Sequence, residues 1–402
     1  MASAAPRVLF YVQHLLGIGH LKRAALICRA LARAGLDTTL LSGGMPLSGL
    51  DVGGARLRQL PPLRAADLSF SVLLDETGRP IDEAWRARRR DLLLAAFREL
   101  RPEALVVEMY PFGRRQMRFE LIPLLEAARG ARPRPLVVSS LRDILSKAPV
   151  PKRAAWIKAQ VEAFFDAVLV HADPRFVTLE ASFPGAAGFA DALVYTGYVA
   201  EGEAVAAPRG ADSERRGVVV SAGGGAVGAA LIETALAARP LSALREAPWT
   251  LLTGPNLPAG QLDALVRQCP ENVTLSRAHH RFHELLSGTR LSISQGGYNT
   301  VADLLRTGPR AVIVPVAAEG EAEQTMRARL LEAAGVAVML EEQALTPQAL
   351  SDAMDRALAA ERGPRDFDVD LGGAAASAAW IARALAERRR EGGRRREGGR
   401  RP

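Results

Sequence analysis

The stretch that decides the fold is SQGGYNT, residues 294–300. It follows an apolar run at 291–293 and opens a helical pattern over 301–306. Two glycines between a strand and a helix leave backbone N–H groups bare, and the helix N-terminus adds a positive partial charge there. The stretch therefore predicts an α/β domain with an anion-binding loop at the end of a strand.

A second loop of this kind follows directly in the sequence. The apolar run 311–316 is followed by EGEAEQ, residues 319–324, which opens another helix. Carboxylate and amide side chains at this position can hold hydroxyl groups, whereas the glycines of the first loop can hold phosphate. Because neighbouring parallel strands end at one edge of a sheet, the combination favours a sugar nucleotide as the ligand.

Short apolar runs alternate with longer amphipathic stretches along most of the chain, which predicts parallel sheets with crossover helices. The predicted strands are 8–12, 38–42, 105–109, 136–140, 167–171, 193–195, 218–222, 249–253, 273–275, 291–293, 311–316 and 336–340. The predicted helices are 21–34, 83–100, 119–128, 152–165, 229–238, 261–267, 282–286, 301–306, 322–334, 347–360 and 374–390.

The α/β alternation stops once, in an Ala-, Gly- and Glu-rich segment without periodicity, which predicts a linker at 201–216. We therefore expect two Rossmann-like, doubly wound domains at 1–200 and 217–362, facing each other across a cleft. Residues 363–386 are expected to form a second linker and a C-terminal helix that packs back on the first domain.

The chain has 402 residues and a formal net charge of +8, with the basic excess concentrated at its end. Residues 387–402 (ERRREGGRRREGGRRP) hold eight Arg and three Glu, giving +5 and leaving +3 for the remainder. This tail has nothing to bury, so we expect it to be disordered. The tail either contacts RNA or anionic lipid through its charge alone or is a solvated segment without a partner. No specific nucleic-acid partner is expected.

Cysteine usage and hydropathy predict a cytoplasmic protein. Cys28 and Cys269 are far apart in the sequence, as is typical of a reducing compartment. No apolar stretch approaches the roughly 20 residues of a membrane span, and the run 8–12 is too short for the core of a signal peptide. The arginine-rich helix 83–100 has two interpretations: peripheral docking on an anionic membrane, or a surface helix with a core-facing apolar side.

Residues 13–20 (QHLLGIGH) connect the first predicted strand to the first helix. Gly17 and Gly19 permit a tight turn with close backbone approach, and His20 would lie on the first helical turn. A dinucleotide fingerprint needs a third glycine and a later acidic residue, so NAD is not expected. His20 either faces a ligand held by this loop or is a helix-terminal histidine without a role.

Four loops, in this order, resemble those of the MurG-type glycosyltransferases: GIGH at 17–20, GGG at 223–225, GGYNT at 296–300 and EQ at 323–324. The resemblance covers about residues 7–360 and is clearest over 217–340. It implies the GT-B fold, a nucleotide-sugar donor in the C-terminal domain, an acceptor in the N-terminal domain, and no catalytic metal. A UDP-sugar such as UDP-N-acetylglucosamine is the implied co-substrate, with no further cofactor.

The same resemblance implies a donor-binding set in the second half of the chain. Its members would contact the diphosphate (Gly223, Gly224, Gly225, Gly296, Gly297), the base (Phe282), the ribose (Asp303) and the sugar hydroxyls (Glu323, Gln324), together with Asn299, Thr300 and Glu319. His20 would close the N-terminal glycine loop, whose Gly17 and Gly19 would bind the acceptor.

Inverting transfer needs a base for the acceptor hydroxyl, and a histidine with a pKa near 6.5 suits this role at neutral pH. His20 is the first candidate, and Glu108, at a predicted strand end, is either a rival base or a solvated loop carboxylate. His171 and Arg142 follow two further strands and are expected on the acceptor side, unless His171 is a hydrogen-bonded structural histidine. Backbone amides can stabilise the leaving diphosphate in place of a cation, and the Asp-x-Asp at 366–370 is predicted to be a turn.

Two alternatives to glycosyl transfer are open. A sugar-nucleotide 2-epimerase on the same fold would need further acid/base carboxylates and no separate acceptor. A non-catalytic nucleotide-sugar-binding subunit would bind the donor without turnover. The sequence does not identify the acceptor.

Overall fold

The structure, a computed structural model, describes residues 4–67, 70–146, 148–202, 214–223, 228–254, 257, 259–267, 269–279, 281–316 and 322–398. Their contacts divide the chain into two compact units. Unit 1 is drawn from 1–143, 149–199 and 372–402, and unit 2 from 144–148 and 200–371.

Unit 1 is built on a seven-stranded parallel sheet. Its strands are β1 (Arg7–Val12), β2 (Asp37–Ser42), β3 (Arg56–Gln59), β6 (Ala104–Glu108), β7 (Leu136–Arg142), β8 (Ala167–His171) and β9 (Leu193–Tyr195), with a small antiparallel pair, β4 (Arg64–Ala65) and β5 (Leu73–Leu74). Its first helices are α1 (Gly19–Arg33), α2 (Glu83–Leu100), α3 (Arg118–Gly130) and α4 (Pro151–Phe164). The strand order is β3-β2-β1-β6-β7-β8-β9.

Unit 2 repeats this plan with six parallel strands in the order β12-β11-β10-β13-β14-β15. They are β10 (Arg216–Ser221), β11 (Trp249–Leu252), β12 (Val273–Ser276), β13 (Thr289–Ser294), β14 (Arg310–Ile313) and β15 (Val338–Met339). The helices are α5 (Ala229–Ala238), α6 (Ala259–Val266), α7 (Phe282–Ser287), α8 (Tyr298–Thr307), α9 (Glu323–Ala333) and α10 (Pro347–Ala359).

The central strands are buried on both faces, as expected for doubly wound sheets. In β1, Leu9 and Tyr11 point into one apolar core, and Phe10 points into the other. In β10, Val218 and Val219 likewise divide between the two cores of unit 2. The predicted pair of doubly wound α/β sheets is confirmed.

The last helix, α11 (Gly373–Gly398), belongs to unit 1, which it joins from the far end of the chain. Ile381 and Leu385 are buried in the same core as Phe10, and Arg389 pairs with Glu103. The helix therefore packs back on the first domain, as predicted. It also continues to Gly398, whereas disorder is predicted from residue 387. Once the packed part of α11 has nucleated the helix, each further residue adds a backbone hydrogen bond, which offsets the cost of Gly392 and Gly393.

Three boundaries differ from the prediction. The edge strand β3 was missed because its sequence, RLRQ, is polar and its residues are largely exposed. The final strand β15 is shorter than predicted. The linker predicted at 201–216 ends earlier, because Arg215 is buried and donates to the carbonyls of Leu286, Thr289 and Thr307; residues 203–213 lie outside the described ranges.

Helix α2 does not present all its arginines to solvent. Arg89 is fully buried, and its guanidinium pairs with the buried Glu120 at 2.7 Å and donates to Gln13 Oε1 at 2.6 Å. Leu93 and Phe97 of the same helix are in the core. The interpretation as a surface helix with a core-facing side therefore fits α2, and membrane contact stays a prediction.

Within the described part of the chain, no helix combines the length and apolarity needed to cross a membrane.

Candidate active site

The strand order of unit 1 creates a switch point between β1 and β6. From β1 the chain proceeds to β2 and β3 on one side and then returns to β6 on the other. Connections that leave in opposite directions open a crevice at the carboxyl ends of these two strands, where ligands bind in such sheets. The loop 13–18 and Glu108 both lie at this edge.

His20 and Glu108 meet at this switch point. The imidazole Nδ1 lies 2.7 Å from Glu108 Oε1, although the residues are 88 positions apart. Glu108 is fully buried, whereas the His20 side chain is 19% exposed. Arg23, one turn after His20 on α1 and almost fully buried, donates to the same carboxylate oxygen. The arrangement is thus a partly exposed histidine whose Nδ1 contacts the buried Arg23–Glu108 ion pair.

The charges of this cluster are set by burial and by its arginines. Burial lowers the pKa of His20 to about 3, with Arg114 and Arg23 adding to the decrease and Glu108 opposing it. Burial would raise the pKa of the Glu108 carboxyl, but His20, Arg23 and Arg114 lower it to about 2. At neutral pH the pair is therefore a neutral imidazole and a carboxylate.

This protonation state fixes the imidazole tautomer. A contact of 2.7 Å between Nδ1 and a carboxylate oxygen requires a proton on Nδ1, because two acceptors at that distance would repel. The lone pair is then on Nε2, for which no described residue is a hydrogen-bond donor. The half-exposed edge of His20 can accept a proton.

The loop that carries His20 is supported from below. Arg114 donates through Nε to the carbonyl of Gln13, and the Gln13 amide donates to His14 O at 2.7 Å. The buried Arg89 holds the other end of the Gln13 amide. The start of the loop is therefore fixed by two arginines.

The predicted acceptor-side residues lie at the same edge but differ in their surroundings. Both ring nitrogens of His171 are occupied, Nε2 by Ser140 Oγ at 2.7 Å and Nδ1 by Thr196 Oγ1 at 2.9 Å. Burial, followed by Arg23, lowers the pKa of His171 to about 3. This favours the structural interpretation of His171. Arg142 ends β7 half-buried. Burial lowers the pKa of Arg114, and the charge of Arg142 lowers it further.

Gly17 lies half-buried in the β1–α1 loop, and Gly19 is the first residue of α1. The two glycines thus bring the chain from the strand end to His20, as the sequence predicts for a tight connection.

Unit 2 has a matching switch point between β10 and β13, and both strands end in glycine loops. Gly223 follows β10 with φ = +69°, and a Cβ there would lie 3.1 Å from Gln295 Oε1. The backbone N–H of Gln295 donates to the carbonyl of Ser221 at the end of β10. The loops after β10 and β13 are therefore in contact, which the sequence order alone does not show.

Helix α8 begins directly at the second loop. Its N-cap is Gly297, which provides no side-chain cap, so the N–H groups of the first turn face outward from the helix end. Asn299, Thr300 and Asp303 share the half-buried face of this helix. An anion placed at Gly297 would lie at the positive end of the helix dipole.

Helix α9 packs its first turn against the same loop. Arg327 is fully buried and links the Gly296 carbonyl to Glu323 Oε1, the latter at 2.8 Å. Gln324 accepts from the Val316 amide at 3.2 Å through Oε1, and its amide nitrogen donates to no described residue. Of the predicted pair, Gln324 keeps a free donor, whereas Glu323 is already paired with Arg327.

Two further predicted donor residues have other partners. Phe282, the first residue of α7, packs into the apolar cluster of Leu286 and Leu304. Burial lowers the pKa of Arg306, and the negative charge of Asp303, one turn earlier on α8, opposes that decrease. Gly224, Gly225 and Glu319 lie outside the described residues. The roles of all these residues stay predictions.

Among the described residues, no three His, Cys, Asp or Glu side chains form a group that could hold a metal ion. The Asp-x-Asp segment begins in a short 3₁₀ turn, Pro364–Asp366, in which Asp366 accepts from the Gly363 amide at 2.8 Å. That is the turn predicted from the sequence.

Sequence reasoning missed Arg23 and Arg114. Arg23 follows His20 by three residues, the spacing that places two side chains on one helix face, so this signal was present. Arg114 has no such signal, because its left-handed backbone conformation and its contact with Gln13 depend on the loop after β6.

Comparison with known proteins agrees with this architecture. Residues 218–364 match the model of the glycosyltransferase family 28 C-terminal domain. Over 108 residues the chain is 32% identical to the UDP-N-acetylglucosamine–N-acetylmuramyl-(pentapeptide) pyrophosphoryl-undecaprenol N-acetylglucosamine transferase of Leuconostoc mesenteroides subsp. mesenteroides. That match covers 27% of this chain and 30% of the relative's length.

Similar solved structures cover nearly the whole chain at low identity. The calicheamicin glycosyltransferase CalG4 superposes with a TM-score of 0.61 at 17% identity, covering 98% of this chain and 99% of that one. MurG of Acinetobacter baumannii gives 0.55 at 17% identity, with coverages of 94% and 100%. The spinosyn rhamnosyltransferase SpnG, complexed with thymidine diphosphate, gives 0.58 at 18% identity, with coverages of 95% and 96%. The chain therefore contains a glycosyltransferase family 28 C-terminal domain and has the GT-B fold of the MurG-like glycosyltransferases.

Proposed function

We propose that this protein transfers a glycosyl group from a nucleotide-diphosphate sugar to an acceptor hydroxyl, with inversion and without a catalytic metal. The observation that carries the proposal is the contact of 2.7 Å between His20 Nδ1 and the buried Glu108 at the switch point of unit 1. A neutral histidine with its partner carboxylate is the arrangement that removes a proton from a hydroxyl group.

In this proposal His20 is the base and Glu108 is its positioning residue. His20 Nε2 takes the proton as the acceptor oxygen attacks the anomeric carbon. Glu108 keeps the proton on Nδ1 and stabilises the imidazolium that forms. Its complete burial and its bond to Arg23 argue against the alternative in which Glu108 itself takes the proton.

The leaving nucleoside diphosphate is assigned to the loops of unit 2. Gly223, Gly296 and Gly297 allow close approach of phosphate to backbone, and the first turn of α8 supplies N–H groups for the negative charge. The free amide of Gln324 is available to a donor hydroxyl.

The relatives support a nucleotide-sugar donor and differ in the nucleotide. The Leuconostoc mesenteroides relative is named for transfer from UDP-N-acetylglucosamine, whereas SpnG was crystallised with thymidine diphosphate. We propose a UDP-sugar for this chain, with UDP-N-acetylglucosamine as the first compound to test, acting as a co-substrate without another cofactor. The proposed setting is the cytoplasm, with peripheral contact to an anionic membrane surface.

The first experiment measures thermal unfolding with UDP, GDP, dTDP, CMP and NAD in the presence of EDTA. A nucleotide at one hundred times its Kd should add about 2.7 kcal/mol of stability. We expect UDP to raise the melting temperature and NAD to have no effect. If no nucleotide raises it, the proposed donor site is wrong.

The second experiment compares His20→Ala with Lys22→Ala, an exposed control position two residues later on α1. UDP-sugar turnover should fall on the order of 10²-fold or more in His20→Ala and stay unchanged in Lys22→Ala, with UDP binding retained in both. Nucleotide binding without turnover in the wild type would favour the non-catalytic subunit. Interconversion of the donor sugar without an acceptor would favour the 2-epimerase.

A further inference from the structure

Two arginines of unit 1 lie over one tryptophan ring, and a third is close enough to act on one of them electrostatically. Arg115 precedes α3, Arg118 is its first residue, and Arg153 is the third residue of α4. The Arg118 guanidinium carbon lies 3.8 Å from the centroid of the Trp156 ring, and that of Arg153 lies 4.8 Å from it. The ring therefore holds two like charges in one place.

These charges are not neutralised by the protein. Across the described residues, no carboxylate forms an ion pair with Arg115, Arg118 or Arg153. Burial lowers the pKa of Arg153, and the charges of Arg118 and Arg115 lower it further. Elsewhere in unit 1 arginines pair with carboxylates, as Arg134 does with Asp166 at 2.9 Å.

Two donors of the cluster are buried and lack partners. Arg118 Nε and Arg153 Nη1 are inaccessible to solvent and bond to no described residue. Arg153 Nη2, in contrast, donates to the Pro111 carbonyl at 3.1 Å, which fixes the guanidinium plane. Buried donors on charged groups are costly to leave unpaired, and an oxyanion would satisfy them.

Two helix N-termini add to the positive potential. The N-cap residues of α3 and α4, Met117 and Val150, provide no side-chain cap. The first turn of α4 has no acidic residue, and the one in α3, Glu120, is buried and paired with Arg89. A helix N-terminus favours a negative charge close to its first turn. The cluster thus combines arginine donors, helix ends and a flat aromatic wall.

We propose that Arg115, Arg118 and Arg153 form an oxyanion-binding site beside Trp156 that takes a phosphoryl or carboxylate group. The loop from Glu108 to Arg115 joins this site to the edge of the sheet that holds His20. If the proposed function holds, on which this step rests, the bound group belongs to the acceptor, which is then an anion.

The test titrates the full-length chain with inorganic phosphate, pyrophosphate and acetate at constant ionic strength, following tryptophan emission. Trp156→Phe identifies the part of the signal that comes from the site. Binding should be saturable in the wild type and roughly tenfold weaker, or more, in Arg118→Gln and in Arg153→Gln. The matched control is Arg129→Gln, which removes one charge from the other end of α3, where Arg129 lies 6.0 Å over Phe164.

Arg115→Gln keeps the test decisive if the half-buried variants fold poorly, because Arg115 is exposed. Weaker binding in Arg115→Gln with an unchanged melting temperature supports the site. Equal binding in all variants, or no saturable signal from Trp156 in the wild type, overturns it. Preference for phosphate or for acetate identifies the group. The stabilisation of the same variants by UDP is measured separately. It tests the donor site of the proposed function independently of the oxyanion site.

Discussion

At the scale of single residues, the protonation of one imidazole depends on a carboxylate that no ligand can reach. Glu108 is fully buried and shares one oxygen between His20 and Arg23. The three groups carry a net charge of zero at neutral pH, because the pKa of His20 is lowered to about 3. The Glu108 carboxylate therefore has two roles: it fixes the His20 tautomer, and it neutralises the buried guanidinium of Arg23.

Replacing Glu108 by glutamine should remove both roles without changing the affinity for the donor nucleotide. The amide can donate to Nδ1, which moves the imidazole proton to Nε2 and removes the base. We expect turnover to fall on the order of 10²-fold or more, with UDP affinity unchanged. Loss of the carboxylate charge from the buried ion pair with Arg23 should also destabilise unit 1 by about 3–5 kcal/mol.

The control for this variant is Glu103→Gln, at the opposite end of β6, where the carboxylate pairs with Arg389 near the surface. Glu103→Gln should keep full turnover and lose little stability. Full activity in Glu108→Gln would contradict the assignment of Glu108 as the residue that positions His20.

The contact between His20 and Glu108 could not be predicted as a pair. The sequence indicates each residue at the end of a strand or the start of a helix, but their distance depends on β6 lying beside β1. A pattern of buried strands does not give the order of strands, since every central strand is equally apolar. The three-residue spacing of His20 and Arg23, in contrast, predicts that their side chains lie on one face of the helix.

At the scale of elements, the loop between β13 and α8 has two neighbouring glycines with different surroundings. A Cβ on Gly296 would lie 3.0 Å from Gln324 O and 3.3 Å from Ile313 Cγ2. A Cβ on Gly297 would have nothing within 4 Å, and its φ of −65° suits any residue. Gly296 is thus required by the packing of α9, and Gly297 borders open space.

Alanine at each glycine should therefore have a different effect. Gly296→Ala should lower stability by about 1–3 kcal/mol, because α9 must shift. Gly297→Ala should leave stability within about 1 kcal/mol but weaken UDP binding, since its methyl group occupies the space assigned to the diphosphate. Thermal unfolding with and without UDP measures both effects.

Unchanged UDP binding in Gly297→Ala, at wild-type stability, would show that the diphosphate does not approach this loop. A stable Gly296→Ala would show that α9 adjusts without cost.

Most elements could be predicted because their burial determines their sequence. Strands such as β1 and β10 are continuous apolar runs, since both faces lie in cores. Strand β3 was not predicted, because an edge strand with exposed arginines has no such signature. The burial of Arg89 was not predicted, because its carboxylate partner Glu120 comes from α3, which only the packing of two helices brings near.

At the scale of the whole molecule, unit 1 holds three histidines in neutral form, of which His14 and His171 are buried and His20 is partly exposed. The pKa is lowered to about 4 in His14 and to about 3 in His20 and in His171, in each case first by burial. All three lie close enough to Arg23 or Arg114 for those charges to lower the pKa further. The unit therefore keeps its charge pattern constant over the ordinary pH range, at the expense of stability in acid.

The sign of this effect follows from proton binding. In the unfolded chain these histidines have a pKa of about 6.5 and take up protons below that pH, whereas in the folded chain they stay neutral. The free energy of unfolding therefore falls as the pH decreases from about 6.5 toward 4. Each such histidine contributes up to about 1.4 kcal/mol per pH unit. Glu108, with its pKa lowered to about 2, adds a further loss only below its ordinary value of 4.5.

We therefore expect the melting temperature of the chain to decrease well before its carboxylates titrate, between about pH 6.5 and pH 5. His171→Gln is the diagnostic variant, because glutamine can keep bonds to Ser140 and Thr196 but cannot take up a proton. Its melting temperature should depend less steeply on pH than that of the wild type, whatever its value at pH 7. Parallel curves for the two proteins would mean that His171 takes up a proton in the folded chain as it does in the unfolded chain. The claim that His171 stays neutral over this pH range would then be wrong.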